Sequence, residues 1–395
     1  MVDKFVMPDG VERVYHNASA ADILPTILDL YDYHKVFIIC SKTLNTKTDI
    51  VQRIRDRLGD RVIGVTDEVG EHSPVVNVIK GAVQIRDSGA DVMLTIGGGS
   101  VLDFAKFVQL ALTEKAFTKE ELLTRGKSGQ NADRTEYLGV SKAQPVIRQI
   151  AIPTSLATAD WTPAGTPVDE ETKLKVGLMT VRGAPQVIIY DPEILGRTPL
   201  RLLLSTGVRG LDHSINSLCV PSPHPLANIL ASHAVKLFVE NLPRVKRDPT
   251  DREALTNCQL ANWYVGVVVM AMANQHGFSH ALAHVVAPWA DIAHSDVACV
   301  LMLTQAKWLE GLETSPHTQI TELLGRPGVK FSEMLTDLLV ELEMPTTLAE
   351  LGVTLEQTEE MIPHALAWNG VTTSNIRPVR TAEDLRAVFK IALGA

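Results

Sequence analysis

The sequence predicts a two-part α/β protein: an amino-terminal domain on a parallel, doubly wound sheet, followed by an all-helical carboxy-terminal domain. Three observations predict it. Short β-branched runs alternate with segments of helical spacing as far as Tyr190, the pattern of strands joined by crossover helices. After Asp191-Pro192 the strand signals stop, and from Pro199 onward the apolar spacing is helical. Three successive glycines, Gly97–Gly99, follow directly on a strand and open a helix.

In chain order, Lys35–Cys40, Arg61–Val65, Asp91–Ile96, Gln149–Ile152 and Gln186–Tyr190 read as buried strands, being continuous apolar runs without polar alternation. Thr48–Leu58, Val75–Ser88 and Val101–Leu110 between them read as helices. The helical half is broken by loops at Val220–Pro225, Asp248–Asp251 and Arg326–Val329. The domain boundary therefore falls near Asp191–Thr198, giving domains of residues 1–195 and 196–395. A functional site is expected in the cleft between them.

Composition narrows the function. A net charge of −9, with no Lys/Arg cluster interleaved with aromatics, excludes a nucleic-acid surface. Cys40, Cys219, Cys258 and Cys299 are scattered, without CxxC spacing, and read as reduced, buried thiols of a cytoplasmic protein. The amino terminus carries no basic region followed by an apolar run, so no secretory signal is expected. The most apolar stretch, Val265–Ala273, is about half the length that crosses a bilayer.

Chemistry concentrates in Gly277–Asp296, which holds His280, His284 and His294. Four residues apart on a helix, His280 and His284 share a face, and His294 can fold back on them from the next segment. Any one of these histidines could be a packed core residue, but three of the chain's twelve in this short stretch read as an active site. The second candidate is Gly97-Gly98-Gly99-Ser100. Glycines there let the backbone approach a ligand, and the following helix start can hold a pyrophosphate, although a glycine run can also be only a tight turn. It is not a GxGxxG fingerprint, and it follows the third strand rather than the first.

GGGSVLDFAK (Gly97–Lys106) resembles the GGGSxxDxAK signature of the iron-type, or group III, alcohol dehydrogenase superfamily. Ile152–Lys175 resembles that family's PTTxxTGSExT segment and following lysine, HALAH with His294 resembles its metal and catalytic block, and Asn375–Ala392 its last helix. The resemblance spans nearly the whole chain. It implies the dehydroquinate synthase-like fold, an NAD(P)-dependent oxidoreductase, a small-molecule substrate and a homodimer. By it, Asp103, Thr154, Ser155 and Lys175 are cofactor contacts. Gly70–Val78 and Thr206–Asn216 resemble the maleylacetate reductase branch.

Metal-dependent members of the family place an Asp and a His four residues apart at this point. Here His213 is present, but the Asp position is Arg209, whose guanidinium cannot ligate a cation and would repel one. A metal-free enzyme is therefore expected, in which Arg209 clamps a substrate carboxylate and His213, His280, His284 and His294 line the pocket. Reduction of the carbon–carbon double bond of maleylacetate to 3-oxoadipate agrees with that change. The alternative is an Fe²⁺ or Zn²⁺ enzyme of small alcohols and aldehydes, its metal on His213, His280 and His294 with Asp212 adjacent, or on a shifted Asp212/Asn216 pair. A further alternative is a non-redox, dehydroquinate synthase-like or degenerate member. At the end of the first predicted strand many NAD-dependent relatives carry an Asp; here Ser41 and Lys42 occupy the place, so NADPH is accepted alongside NADH. Lys42 could equally be a solvated loop lysine.

Overall fold

Six parallel strands form the central sheet, in the spatial order Arg13–His16, Val187–Tyr190, Arg148–Pro153, Val92–Gly97, Val36–Cys40 and Val62–Thr66. This computed structural model describes residues 10–70, 73–124, 127–128, 139–165, 167–171, 176–221, 224–271 and 277–394. Every residue of Val36–Cys40, Val92–Gly97 and Val187–Tyr190 is buried, which is why these strands read as unbroken apolar runs. Side chains leave the two faces alternately. Ile38, Leu94 and Ile150 pack with Leu24, Leu28 and Ile54 on one face, while Phe37, Ile39 and Met93 pack with Val78, Phe104 and Val108 on the other.

The predicted strands and helices lie where the periodicity put them, with ends shifted by up to four residues. Val75–Ser88 is a helix over that span, and the glycine-run helix extends from Gly99 to Glu114. The helix read over Thr48–Leu58 is Ile50–Leu58. A short helix before it, Lys42–Lys47, was not read from the sequence; it ends at Thr48, whose backbone is extended (φ −134°, ψ 163°). The strand Arg13–His16 and a small second sheet of Lys127–Ser128, Val176–Thr180 and Gly139–Ser141, with Ala164–Gly165 paired to Val176–Thr180, were not legible from sequence. These strands are two to five residues long, too short for a periodic signal.

By contacts the chain divides into two compact units, with the break between Thr198 and Pro199. The second unit is helical. Its longer members are Leu200–Leu218, Pro225–Arg247, Arg252–Ala271, Phe278–Ala290 and His294–Trp308. Leu200–Leu218 is enclosed almost all round, so its polar residues Asp212, His213, Ser214 and Asn216 are buried inside the unit. Buried polar groups in a central helix need partners, and here they have functional-site chemistry. Among the described residues, no helix is long and apolar enough to cross a membrane.

Candidate active site

In the α/β unit the sheet topology singles out one edge. From Val36–Cys40 the chain runs to Val62–Thr66 on one side, then crosses back to Val92–Gly97 on the other, so the direction of winding reverses between these two neighbours. Ligands of open α/β sheets bind beyond the carboxyl ends of strands at such a switch point. Cys40 is opposite Ile96 and Gly97 is opposite Pro153, which brings Ser41, Gly97–Ser100 and Thr154–Ser155 to the ends of three adjacent strands.

The glycine turn is built for close approach. Gly98 is the N-cap of the helix Gly99–Glu114, and no side chain caps that helix, so its first N–H groups are available to an anion. A Cβ on Gly98 would come 3.3 Å from the Ser155 hydroxyl, and Thr154 N–H donates to the Gly97 carbonyl at 3.0 Å. Turn and loop thus form one wall. Thr154 and Ser155 are buried, and Asp103 one turn into the helix is ion-paired with Lys106 at 2.8 Å. Ser41 caps the helix Lys42–Lys47 by accepting from Leu44 N–H at 3.3 Å, and Lys42 beside it is exposed. Lys175 lies outside the described residues.

In the helical unit the four histidines converge. His280 and His284 stand on one face of Phe278–Ala290, with their Nε2 atoms 3.1 Å apart. His294 opens the next helix, and its ring centroid is 5.3 Å from His280 and 4.6 Å from His284. His213 reaches His280 from Leu200–Leu218 at 4.4 Å between ring centroids. At 3.1 Å one of the two Nε2 atoms donates and the other accepts, so the pair can hand on a proton.

Behind His280 lies Asp212. Its Oδ2 is 3.7 Å from His280 Nδ1, and its Oδ1 accepts from Ser279 Oγ at 2.5 Å and from Asn216 Nδ2 at 2.8 Å. Burial pushes the Asp212 carboxyl up to about 7, against the opposing pull of those hydrogen bonds and of the Arg209 charge. Gly277 starts the histidine helix at φ 66°, and a Cβ there would lie 2.1 Å from Asn216 Oδ1. Only glycine brings the two helices this close. Asn216 Nδ2 donates to Asp212 Oδ1, so the atoms a shifted ligand pair would offer are Asn216 Oδ1 and Asp212 Oδ2.

The nitrogens that His280, His284 and His294 offer all lie within 4.8 Å of one another, and imidazole nitrogen is an ordinary donor to Fe²⁺ or Zn²⁺. These donors fit a divalent cation. The set that closes to this distance contains His284 in place of His213, a different membership from the one read in the sequence. Sequence reasoning also missed Trp368, whose ring lies 5.4 Å from that of His284, and Ser279, which ties Asp212 to the histidine helix. Neither belongs to a spaced motif.

Residues 12–192 match the family model described as iron-containing alcohol dehydrogenase, and residues 203–393 match that family's carboxy-terminal model. Among curated relatives, maleylacetate reductase 2 of Cupriavidus pinatubonensis is 24% identical over 83% of this chain and 80% of its own. Among solved structures, the maleylacetate reductase of Agrobacterium tumefaciens superposes with a TM-score of 0.80 at 21% identity, covering 100% of this chain and 99% of that one. The sulfoacetaldehyde reductase of Bifidobacterium kashiwanohense in complex with NAD⁺ superposes with a TM-score of 0.84 at 19% identity, covering 99% of each chain. With both family models matched in order along nearly its whole length, the chain belongs to the iron-containing alcohol dehydrogenase family and is an NAD(P)-dependent oxidoreductase.

Proposed function

We propose that this oxidoreductase reduces a carboxylate-bearing enone or ketone with NADPH or NADH, in the manner of a maleylacetate reductase and without a metal. The observation that carries the reading is Arg209, a fixed cation one helical turn before His213, where metal-dependent relatives carry a carboxylate. A cation at ligand distance from a guanidinium is repelled by several kcal/mol at an effective dielectric near ~20. An anionic substrate is attracted by the same group, and a carboxylate can take two parallel hydrogen bonds from it.

The chemistry is conjugate reduction. When bound, NAD(P)H would supply hydride for the alkene carbon remote from the ketone, and the substrate's electron pair would be taken up on the ketone oxygen as an enolate. With Arg209 on the substrate carboxylate, an imidazole N–H of the histidine cluster would stabilise that oxygen. The pair His280 and His284 then supplies the proton that the adjacent carbon takes up, so one hydride and one proton enter and the oxidised nucleotide leaves. Gly97–Ser100, Asp103, Thr154 and Ser155 would hold the dinucleotide, with Ser41 and Lys42 toward the adenosine ribose and Lys175 as a further contact by family resemblance. A cytoplasmic homodimer goes with this reading, and light scattering of the purified protein tests the assembly.

The deciding experiment follows NAD(P)H oxidation with maleylacetate and with neutral aldehydes and ketones, before and after exhaustive EDTA treatment. Activity that prefers the dicarboxylate and survives chelation is expected. A second reading is favoured by the convergence of His280, His284 and His294. These three would hold Fe²⁺ or Zn²⁺, which would supply Lewis acidity toward the oxygen of a small alcohol or aldehyde. Stoichiometric metal, with activity lost on chelation and regained on its return, would establish it instead.

A further inference from the structure

We propose that Lys106 is a positioning residue for nucleotide binding, its ammonium holding the Thr154–Gly165 segment against the glycine turn in a strained geometry that receives the dinucleotide. The proposal rests on the reading that the dinucleotide lies on that turn. Lys106 sits two turns into the helix Gly99–Glu114 with its side chain 2% exposed. Its Nζ, with three N–H donors, lies within hydrogen-bond distance of four acceptors: Asp103 Oδ1 at 2.8 Å, the Ala159 carbonyl at 2.6 Å, Thr162 Oγ1 at 3.0 Å and the Ala164 carbonyl at 3.2 Å. One ammonium thus gathers both arms of a single loop onto the helix that begins at the glycine turn.

Stability alone is a poor reason for this arrangement. Burying an ammonium costs several kcal/mol, and an apolar side chain of similar volume often serves a core equally well. The pinned segment, however, contains a conformation that does not hold itself. Thr158, immediately before the anchored Ala159, has φ 59°. A β-branched residue in the left-handed region is an outlier costing about 1–3 kcal/mol, and persists only where its surroundings fix it. A second anchor lies close by: Trp161 Nε1 donates to the Tyr190 hydroxyl at 2.7 Å, and that hydroxyl donates to Asp160.

The segment so held faces the phosphate-binding turn. Cβ atoms built on Gly98 and Gly99 would point at Ser155 Oγ (3.3 Å) and Ala159 Cβ (3.7 Å), so a shift of this segment changes the gap in which the pyrophosphate must fit. At Gly165 the segment is pressed onto the same helix, where a Cβ would lie 2.5 Å from the Phe107 ring. Displacements of about 1 Å in a binding constellation can cost on the order of 100-fold.

The test measures NADH binding by fluorescence titration, together with steady-state kinetics, in Lys106→Met. The dissociation constant for NADH should rise about 10- to 100-fold, while kcat at saturating NADH and the KM of the carbonyl substrate change by less than about threefold. Adding Thr158→Gly, which adopts the left-handed conformation without strain, should recover part of the lost affinity, a coupling that a merely structural lysine would not show. If Lys106→Met does not fold, Thr162→Val removes one partner of the ammonium and should weaken NADH binding about two- to fivefold. NADH affinity within twofold of the unmodified protein in whichever of these two variants folds, while Gly98→Val abolishes binding, overturns the proposal and leaves the nucleotide reading standing. Unchanged affinity in Gly98→Val as well overturns the nucleotide reading and the proposal together.

Discussion

At the scale of single residues, cofactor choice turns on Ser41. Its hydroxyl caps a helix, and Asp is an equally good cap, so Ser41→Asp keeps the local fold while adding a carboxylate beside the ribose position. The ratio of kcat/KM for NADPH to that for NADH should fall by about tenfold or more, because the new charge repels a 2′-phosphate. An unmoved ratio would mean that this position does not read the ribose. His280→Ala and His284→Ala should each lower kcat by about 10²–10⁴ with little loss of thermal stability, as expected of groups that donate a proton or stabilise an oxyanion. Loss of stability with kcat intact in the folded fraction would return them to a packing role. Both histidines were legible because an i, i+4 pair is a local pattern. Asp212 drew notice as a neighbour of His213 and as half of a shifted Asp212/Asn216 pair, but its contacts with Ser279 and His280 across a helix interface are written in no spacing.

At the scale of elements, the start of the histidine helix is the most constrained junction. Gly277 combines φ 66° and ψ 163°, a region essentially reserved for glycine, with the close approach to Asn216. Gly277→Ala should push Phe278–Ala290 away from Leu200–Leu218, with a loss of about 2–4 kcal/mol in a denaturant titration and a fall in kcat from the displaced histidines. Retention of both would show that the junction is slack. Strands buried on both faces, and helices such as Val75–Ser88 and Gly99–Glu114, were readable because their periodicity is long enough to count, although the helix Ala20–Leu30 was not read. The short strands around Val176–Thr180, and the short helix Lys42–Lys47, depend on pairing and capping supplied by distant or neighbouring groups, which periodicity does not encode.

At the scale of the whole molecule, acid stability should carry the signature of His317. Its ring packs against Phe331, 5.0 Å between centroids, and burial holds its pKa down to about 4 from the usual 6.5. The native state therefore resists a proton that the unfolded chain accepts. The contribution of His317 to stability is intact above pH 6.5 and is lost as pH falls toward 4, by an amount on the order of 3 kcal/mol, opposite in sign to that of the raised Asp212 carboxyl. Unfolding midpoints measured across this window should fall more steeply for the unmodified protein than for His317→Gln; parallel slopes would assign the acid sensitivity elsewhere.

The sheet order has a consequence for how the chain is made. Among the described residues Arg13–His16 pairs only with Val187–Tyr190, and the helix that follows it has its first N–H, from Ala20, bonded to Asp191 Oδ2 across 171 residues of sequence. A ribosome adding roughly 5–20 residues per second exposes that first strand and helix start some ten to thirty-five seconds before their partners leave the exit tunnel. Throughout that interval one edge of the nascent sheet has no neighbour. The apolar strands in the middle can associate meanwhile, but the α/β unit closes only when its last strand arrives, so the time during which chaperones must guard it is set by translation speed rather than by the intrinsic folding rate.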